Sequence, residues 1–208
     1  MVKLYSYVIT RDYGFAPNPF YKYCTLATCK PYIRYRAEVG DIIVGIGSGA
    51  KNSMFKNKII YVMKVQEKIT YDQYWCDKRF QCKKPNMNGS KKQMYGDNIY
   101  HTDLITAKMI QENSHHSLEN GETNLLNYNR DISGEYVLIS NQFWYWGGNP
   151  IDIPSYYLDI TKVKRQYIVI KNEEFINEFW KWILQLKDKG YINKPHMFIN
   201  SFERYDGK

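Results

Sequence analysis

The chain has 208 residues, with 29 Lys or Arg against 21 Asp or Glu, so its formal net charge is +8. No apolar run approaches the roughly 20 residues of a membrane span, and the start of the chain has no signal-peptide pattern, so we expect a soluble, unexported protein of the cytoplasm. A chain of this length suits one well-buried domain. We expect a single domain over 1–208, with a core over about 1–154 and a C-terminal extension with a helix over 155–208.

The charge and the aromatic content both indicate an anionic, flat ligand. The positive excess favours an anionic partner but is too small for a dedicated DNA-coating protein. Aromatic residues make up 16% of the chain, more than one core needs, and such rings stack on bases at about 1–3 kcal/mol each. An AT-rich genome would also encode this composition, so the composition alone does not establish nucleotide binding.

The first third of the chain predicts strands around an irregular loop. Alternating residues over 3–10 predict the first strand. Gly14, Pro17, Asn18 and Pro19 then fix a loop that forms either a pocket wall or a simple connection. The β-branched run over 42–46 predicts a buried strand, and residues 58–69 predict a second strand antiparallel to it across a flexible turn over 50–57.

The remaining segments alternate between clear and weak patterns. Thr70 is a good N-cap for a helix, and residues 83–98 predict a long basic loop of the kind that forms lids. Residues 107–114 have weak helical spacing, whereas residues 119–135 are turn-like. A strand is predicted over 135–140, and regularly spaced apolar residues predict a helix over 175–189 that Gly190 ends.

The four cysteines do not follow the spacing of common zinc sites. Cys24, Cys29, Cys76 and Cys82 lack tight C-x2-C pairs, and a disulfide framework is not expected in a chain that can build its own core. We expect ordinary reduced thiols, with Cys24 and Cys29 as packing residues, and neither a metal nor another cofactor.

One candidate binding segment follows Thr70. There, Trp75 could stack a base, Asp77 could read its edge and Arg79 could hold a phosphate. The alternative is an amphipathic helix with its rings in the core and its charges in solvent.

A second candidate segment carries titratable side chains. Asp97 and His101 could form an acid–base pair, or Asp97 could join His101, His115 and His116 around a metal. A lone His beside tyrosines is more often a hydrogen-bonding residue, and His115 and His116 lie in a polar stretch. Further on, four consecutive rings over 143–146 cannot all face one core from an extended chain, so Trp144 either lines a second surface or packs under the C-terminal helix.

Several motifs together carry a family resemblance. The order FAPNPF, CTLATCKP, VGD, YW-x-D-x-RF, GDNIYH and VLIS resembles the second family of nucleotide-modification-associated domains, found in bacteria and their phages. The resemblance implies association with enzymes that modify nucleotides or DNA bases, a place in phage–host conflict, and location in the cytoplasm of a bacterium or infected host. Its motif positions correspond here to Asn18, Cys24, Lys30, Arg34, Asp41, Trp75, Asp77, Arg79, Asp97, Asn98 and His101.

A looser resemblance concerns the fold. The Gly-Asp turn into an apolar strand, followed by a second strand, is similar to the PUA-like superfamily of ASCH, EVE and YTH domains. It implies an α+β fold with a small mixed or antiparallel barrel-like core, peripheral helices and a C-terminal amphipathic helix. Domains of that superfamily accept a base, often a modified one, between aromatic rings.

The leading functional hypothesis is therefore non-catalytic binding of a nucleotide or modified base, free or in nucleic acid, for example to sequester a defence signal. An enzyme that uses Asp97 and His101 as acid and base is the first alternative, and a DNA-binding protein that uses the basic 78–92 segment is the second. Exposed aromatic surface would also allow a homodimer. The expected ligand-binding residues are Asn18, Lys30, Arg34, Trp75, Asp77, Arg79, Asp97, Asn98, Tyr100, His101 and Trp144.

Overall fold

A computed structural model describes residues 1–50, 53–163 and 166–207. Its strands are β1 (Leu4–Val8), β2 (Cys24–Leu26), β3 (Ile42–Ile46), β4 (Lys58–Lys64), β5 (Glu67–Thr70), β6 (Tyr100–Thr102), β7 (Met109–Gln111), β8 (Tyr136–Ser140), β9 (Phe143–Tyr145), β10 (Ile151–Asp152), β11 (Ile168–Ile170) and β12 (Gly190–Tyr191). Its α-helices are α1 (Pro31–Arg36), α2 (Tyr71–Cys76), α3 (Lys91–Met94), α4 (Leu125–Ile132) and α5 (Glu173–Gln185). Short 3-10 helices cover Lys78–Lys83, Ser155–Thr161 and His196–Ile199.

The main sheet has the strand order β11-β1-β3-β4-β9-β12, and β10 pairs with β4 beside this path. The pairs β1–β3 and β9–β12 are parallel, and the other pairs are antiparallel. Both edge strands come from the C-terminal part of the chain. Residues after 154 therefore complete the sheet at both edges.

Two smaller sheets accompany it, one with the order β2-β8-β5 and one formed by β6 and β7. The α+β class is confirmed, but the barrel-like core is not, because none of these sheets closes. The physical reason is local: the predicted strand over 58–69 breaks after Lys64, so β4 stays in the main sheet while β5 joins the second one.

Other sequence predictions met mixed outcomes. The helix after Thr70 is confirmed, with a complete capping box between Thr70 and Gln73, and α5 confirms the C-terminal helix, although Gly190 lies in β12 rather than at the helix end. The weakly helical 107–114 segment contains strand β7, and the turn-like 119–135 segment contains α4. Two residues of the predicted turn over 50–57, those at 51 and 52, lie outside the described residues.

The two faces of the main sheet bury different clusters. One face packs toward α1 and the second sheet through rings such as Tyr61 and Tyr145. On the other face, Trp144 and its neighbours pack against α5 and meet Trp180 edge-on. The alternation predicted for residues 143–146 is thus observed. Among the described residues, no helix is both long and apolar enough to cross a membrane.

Candidate functional site

A large cavity, with a volume of about 870 Å³, opens where β1 ends and α1 begins. Its walls come from the end of β1, the 11–16 loop, the turn before α1, the end of α4 and the C-terminal segment. A cavity of this size falls in the range of about 300–1,000 Å³ that suits small ligands. The irregular loop that the sequence singled out therefore does form one wall, through Tyr13, Phe15 and Ala16.

The charge around this cavity is strongly positive. Four cations line it, Arg11, Lys30, Arg36 and Arg130, against the single carboxylate of Glu135 among the lining residues that the structure describes. Lys30 Nζ lies 4.7 Å from the centre of the Tyr7 ring, and burial lowers the pKa of this ammonium. Positive charge concentrated in a concave site attracts anions.

Aromatic rings share the wall with these cations. The guanidinium groups of Arg11 and Arg130 lie over the Tyr205 ring, with 5.3 and 5.1 Å from Cζ to the ring centre. Tyr32 and Tyr35 are half exposed at the rim, with 55% and 50% of their surface accessible. The cavity therefore offers flat apolar surface beside positive charge. Its lining rings are Tyr7, Tyr13, Phe15, Tyr32, Tyr35 and Tyr205.

A thiol, an imidazole and a carboxylate meet at this cavity. Cys29 Sγ lies 3.7 Å from His116 Nε2, and His116 Nδ1 lies 2.6 Å from Asp131 Oδ2. Cys29 and His116 line the cavity, whereas Asp131 is fully buried behind them. We call Cys29, His116 and Asp131 the pocket cluster.

An unusual turn places Cys29 in this cluster. Cys29 and Lys30 both have left-handed backbone conformations, with φ of 55° and 39°, in the connection from β2 to α1. Two hydrogen bonds hold the turn: the Cys29 N–H donates to Asp131 Oδ1 at 2.7 Å, and Arg34 Nε donates to the Cys29 carbonyl at 2.7 Å. Non-glycine residues adopt such φ values at a cost and only when their surroundings enforce them.

Asp131 is the centre of the bonds behind the cavity. Its side chain also accepts a hydrogen bond from Tyr100 Oη at 3.0 Å, and its backbone carbonyl accepts bonds from Arg34 and Tyr71. Helix α4, which begins at the N-cap Asn124, carries Asp131 to this position. A carboxylate with this many donors has a single orientation toward His116.

The electrostatics of the two neighbouring histidines differ. Burial opposes the charged form of His116, but Asp131 and Cys29 outweigh it and raise its pKa to about 9. For Asp131, burial favours the neutral acid, but His116 and Arg34 overcome this effect and lower its pKa. Burial together with the charge of His116 lowers the pKa of His115 to about 3. Near neutral pH, His116 is thus charged and His115 is neutral.

The pocket cluster could also be considered as a metal site, since its three candidate ligand atoms lie within 4.8 Å of one another. Both Asp131 oxygens, however, already accept hydrogen bonds, one from the Cys29 N–H and the other from His116 and Tyr100. A metal ion would have to displace these donors. The bonding therefore fits a proton relay better than a coordination shell.

Of the residues that the sequence predicted to bind ligand, Lys30 lines the cavity. Arg34 and Tyr100 lie directly behind it. Arg34 was expected to meet a phosphate, but its side chain is fully buried, and its guanidinium bonds to Tyr71 and to three backbone carbonyls. Its observed contacts orient Cys29 and Asp131.

A second group of predicted residues lies in a closed interior network. Asp97 accepts hydrogen bonds from Thr25 at 2.5 Å and Tyr74 at 2.8 Å, and Lys83 donates to the Asn18 side chain at 2.6 Å. Burial raises the pKa of Asp97, although the charge of Lys83 acts in the opposite direction. Burial also lowers the pKa of Lys83. We call Asn18, Thr25, Tyr74, Lys83 and Asp97 the closed network.

Asn98 is also buried, close to the closed network. Its amide nitrogen donates to the carbonyls of Tyr74 and Phe80. Neither Asn98 nor any member of the closed network lines the large cavity. The roles of Asn18, Asp97 and Asn98 in ligand binding stay predictions.

The predicted stacking platform is occupied by protein groups. The His101 ring stacks on Trp75 with 4.0 Å between ring centres, and Lys84 Nζ lies 3.4 Å from the Trp75 ring centre. His101 Nε2 also pairs with Glu112 at 2.8 Å. Asp97 and His101 therefore have separate partners in this conformation, and their acid–base role stays a prediction.

Most of the cations of the 78–92 segment also contact other groups of the protein. Arg79 binds the carboxylates of Glu67 and Asp77, Lys83 is buried, and Lys91 donates to two backbone carbonyls. A surface that binds duplex DNA needs available cations, so this segment gives little support to that alternative. Trp144, finally, is 2% exposed and packs beneath α5.

The sequence analysis did not predict that Cys29, His115 and His116 line the pocket. Cys29 was expected to be a packing residue, which holds for Cys24 but not for Cys29, because Cys29 is partly exposed in the cavity. His115 and His116 were placed in a polar stretch, yet both are buried. Asp131 had no distinguishing pattern apart from the N-cap residue Asn124 before its helix.

The fold and the cavity together define an α+β protein with a pocket lined by cations and aromatic rings. The chain belongs to the family described as nucleotide modification associated domain 2, whose model matches residues 1–202. No curated protein and no solved structure gives a significant match. The predicted family resemblance is thereby confirmed over nearly the whole chain.

Proposed function

We propose that the large cavity binds a nucleotide or modified base, with phosphate against the cations and the base against the rings. The observation that carries this proposal is the lining of the cavity, in which four cations and six aromatic rings surround about 870 Å³. Family membership gives the nucleotide context. Compared with the sequence-based hypothesis, the binding mode is kept and the site moves from the Trp75 segment to the cavity.

The exposure and charge of the lining residues indicate which part of a nucleotide each of them would contact. Arg11 and Arg36 are exposed cations at the cavity, so they can meet a phosphate without first giving up a buried partner. Tyr32 and Tyr35 offer half-exposed rings on which a base can stack. Binding a free nucleotide in this way would remove it from solution, which is the sequestering role that phage–host conflict would require.

The test is calorimetry with the four deoxynucleoside monophosphates and the matching nucleosides. We expect at least one nucleotide to bind, and its nucleoside to bind about tenfold more weakly or worse, because the phosphate contacts are lost. Arg11→Ala and Arg36→Ala should each weaken the nucleotide by about tenfold and leave the nucleoside unchanged. Lys187→Ala, at an exposed residue outside the cavity lining, is the matched control.

Two further measurements separate the alternatives. His101→Ala should leave nucleotide affinity unchanged, and a loss of affinity in this variant would favour the site near Trp75. Duplex DNA binding would weaken steeply with added salt, since each phosphate contact releases counterions. If no nucleotide, base or nucleoside binds the wild-type protein, the proposed function is wrong.

A further inference from the structure

The pocket cluster has the order of groups that covalent catalysis requires. In enzymes with a thiol nucleophile, an imidazole accepts the thiol proton and a carboxylate fixes the imidazole ring. We propose that Cys29 is the nucleophile in the hydrolysis of an acyl group carried by a nucleotide, with His116 as the acid–base group and Asp131 as a positioning residue. The inference rests on the proposed function, because the nucleotide is the part of the substrate that the cavity would hold.

Access is the first observation that supports this role. The chain has four cysteines, and they differ sharply in environment: Cys24 is buried in the core, while Cys76 and Cys82 are exposed away from the cavity. Cys29 is the cysteine that both lines the cavity and contacts an imidazole. A substrate held against the rings and cations would lie beside this sulfur.

The backbone gives a second, independent observation. Cys29 and Lys30 are consecutive non-glycine residues with positive φ, on a strand-to-turn-to-helix connection. Such a turn presents a nucleophile at the head of a helix, and strained backbone is concentrated at functional sites. The other adjacent pair in the described residues, Tyr21 and Lys22, carries no thiol and does not line the cavity.

Positively charged groups lie close to Cys29. The charges of Lys30 and Arg130 interact with Cys29, and His116 lies within contact distance. Positive neighbours of this kind stabilise the oxyanion that forms when a sulfur nucleophile attacks a carbonyl. With a pKa of about 9, His116 retains a proton at neutral pH and can deliver it.

The reaction balances with water alone as co-reactant. The Cys29 proton is already on His116 Nε2 when the sulfur attacks the carbonyl carbon, and the S–C bond forms as the electron pair of the C=O bond moves onto the oxygen. The bond from this carbon to the amine or alcohol of the nucleotide then breaks, and His116 gives its proton to the leaving group. Water next attacks the thioester, His116 takes a proton from this water, and the S–C bond breaks to release the acid and restore Cys29.

Alkylation by iodoacetamide tests the nucleophile in the wild-type protein, with Cys76 and Cys82 as internal controls. Peptide mass spectrometry should show Cys29 modified about tenfold faster than both controls at about pH 6. Equal rates at the three cysteines would overturn the proposal.

Variants assign the roles of the other two groups. His116→Gln should bring the Cys29 rate down to that of the controls, and Asp131→Asn should steepen the pH dependence of alkylation without abolishing it. Circular dichroism establishes that each variant is folded. If a chelator accelerates Cys29 alkylation in the wild-type protein, the thiol is bound to a metal and the nucleophile assignment is wrong.

The acyl substrate is tested with dCMP acetylated on its exocyclic amine. Chromatography should show dCMP and acetate formed by the wild-type protein and not by Cys29→Ser, while Cys82→Ser, at an exposed thiol outside the cavity lining, should form them at the wild-type rate. Nucleotide binding with unreactive Cys29 would overturn this inference and leave the proposed function intact. A reactive Cys29 without nucleotide binding would overturn the proposed function and, with it, the substrate class.

Discussion

Two clusters of polar side chains in this protein differ in their access to solvent. The closed network joins an ammonium, a carboxylate, hydroxyls and an amide entirely inside the fold, while the pocket cluster joins a thiol, an imidazole and a carboxylate at the floor of a cavity. Both contain a buried carboxylate with several donors. The comparison shows that Asn18 and Asp97, two of the residues predicted to bind ligand, are hydrogen-bonded inside the fold, whereas Cys29 and His116 line a cavity.

The pKa directions of the two carboxylates express this difference. Burial raises the pKa of Asp97, since its nearest cation, Lys83, is also deprived of solvent. The charges of His116 and Arg34 lower the pKa of Asp131 in spite of its burial. A carboxylate that remains charged beside an imidazole can take part in proton transfer, whereas one sealed beneath hydroxyls mainly stabilises the structure.

The largest effect is expected in the closed network. Lys83→Met removes the ammonium that donates to Asn18 and faces Asp97, and leaves these acceptors buried without it. We expect the free energy of unfolding in urea to fall by about 3–5 kcal/mol. Lys78→Met, at an exposed position in the same 3-10 helix, should change it by less than about 0.5 kcal/mol. A small effect of Lys83→Met would remove the distinction between the regions.

The next effect is the pH dependence of stability that His116 confers. Its folded-state pKa of about 9 lies above the ordinary 6.5, so its stabilisation is fully present below pH 6.5 and is lost as the pH rises through about 9. The loss should be about 3 kcal/mol. Urea unfolding gives the free energy of unfolding of wild type and of His116→Gln across this pH range. The difference between the two proteins should shrink by this amount from pH 6.5 to above about 9.

His115 supplies the control of opposite sign for this measurement. Its pKa is lowered to about 3, so its stabilisation is present above pH 6.5 and is lost as the pH falls toward 3. His115→Gln should therefore flatten the acid side of the stability profile and leave the alkaline slope in place. An alkaline slope that persists in His116→Gln would show that His116 is not the group responsible.

The smallest effect concerns the support behind the pocket. A Cβ on Gly134 would lie 2.5 Å from Arg34 Cζ, and the bonded, buried guanidinium has little room to move. Gly134→Ala should reduce the free energy of unfolding by about 1–3 kcal/mol and slow the alkylation of Cys29. Gly49→Ala, which meets no atom within 4 Å, is the matched control and should do neither. An unchanged Cys29 rate would separate Arg34 from the geometry of the pocket.

Sequence patterns succeeded where the determining contacts are local. The capping box at Thr70 spans three residues, the β-branched run of β3 needs only a buried position, and the apolar stripe of α5 repeats along one helix. The same patterns misassigned β7 and α4, whose surroundings decide their structure. The break between β4 and β5 has no strong turn residue, so it too escaped prediction.

The predicted ligand-binding residues show most clearly what the sequence alone does not determine. Lys30 was predicted because it lies in a motif and carries charge, and it does line the cavity. Trp75 and Arg79 were chosen by the same reasoning, but the structure gives them protein partners, His101 for the ring and Glu67 for the guanidinium. Residue type indicates what a side chain can bind, and only packing determines whether a neighbour already occupies it.

The sequence by itself determined the family, the α+β class, the positive charge and the supply of rings. Tertiary structure decided which of these residues share a cavity. Cys29 and Asp131 are separated by 102 positions in the chain, and Cys29 and His116 by 87. No local pattern records such distances, because the contacts form only when the turn between β2 and α1, the segment that carries His116 and the helix α4 pack together in the folded chain.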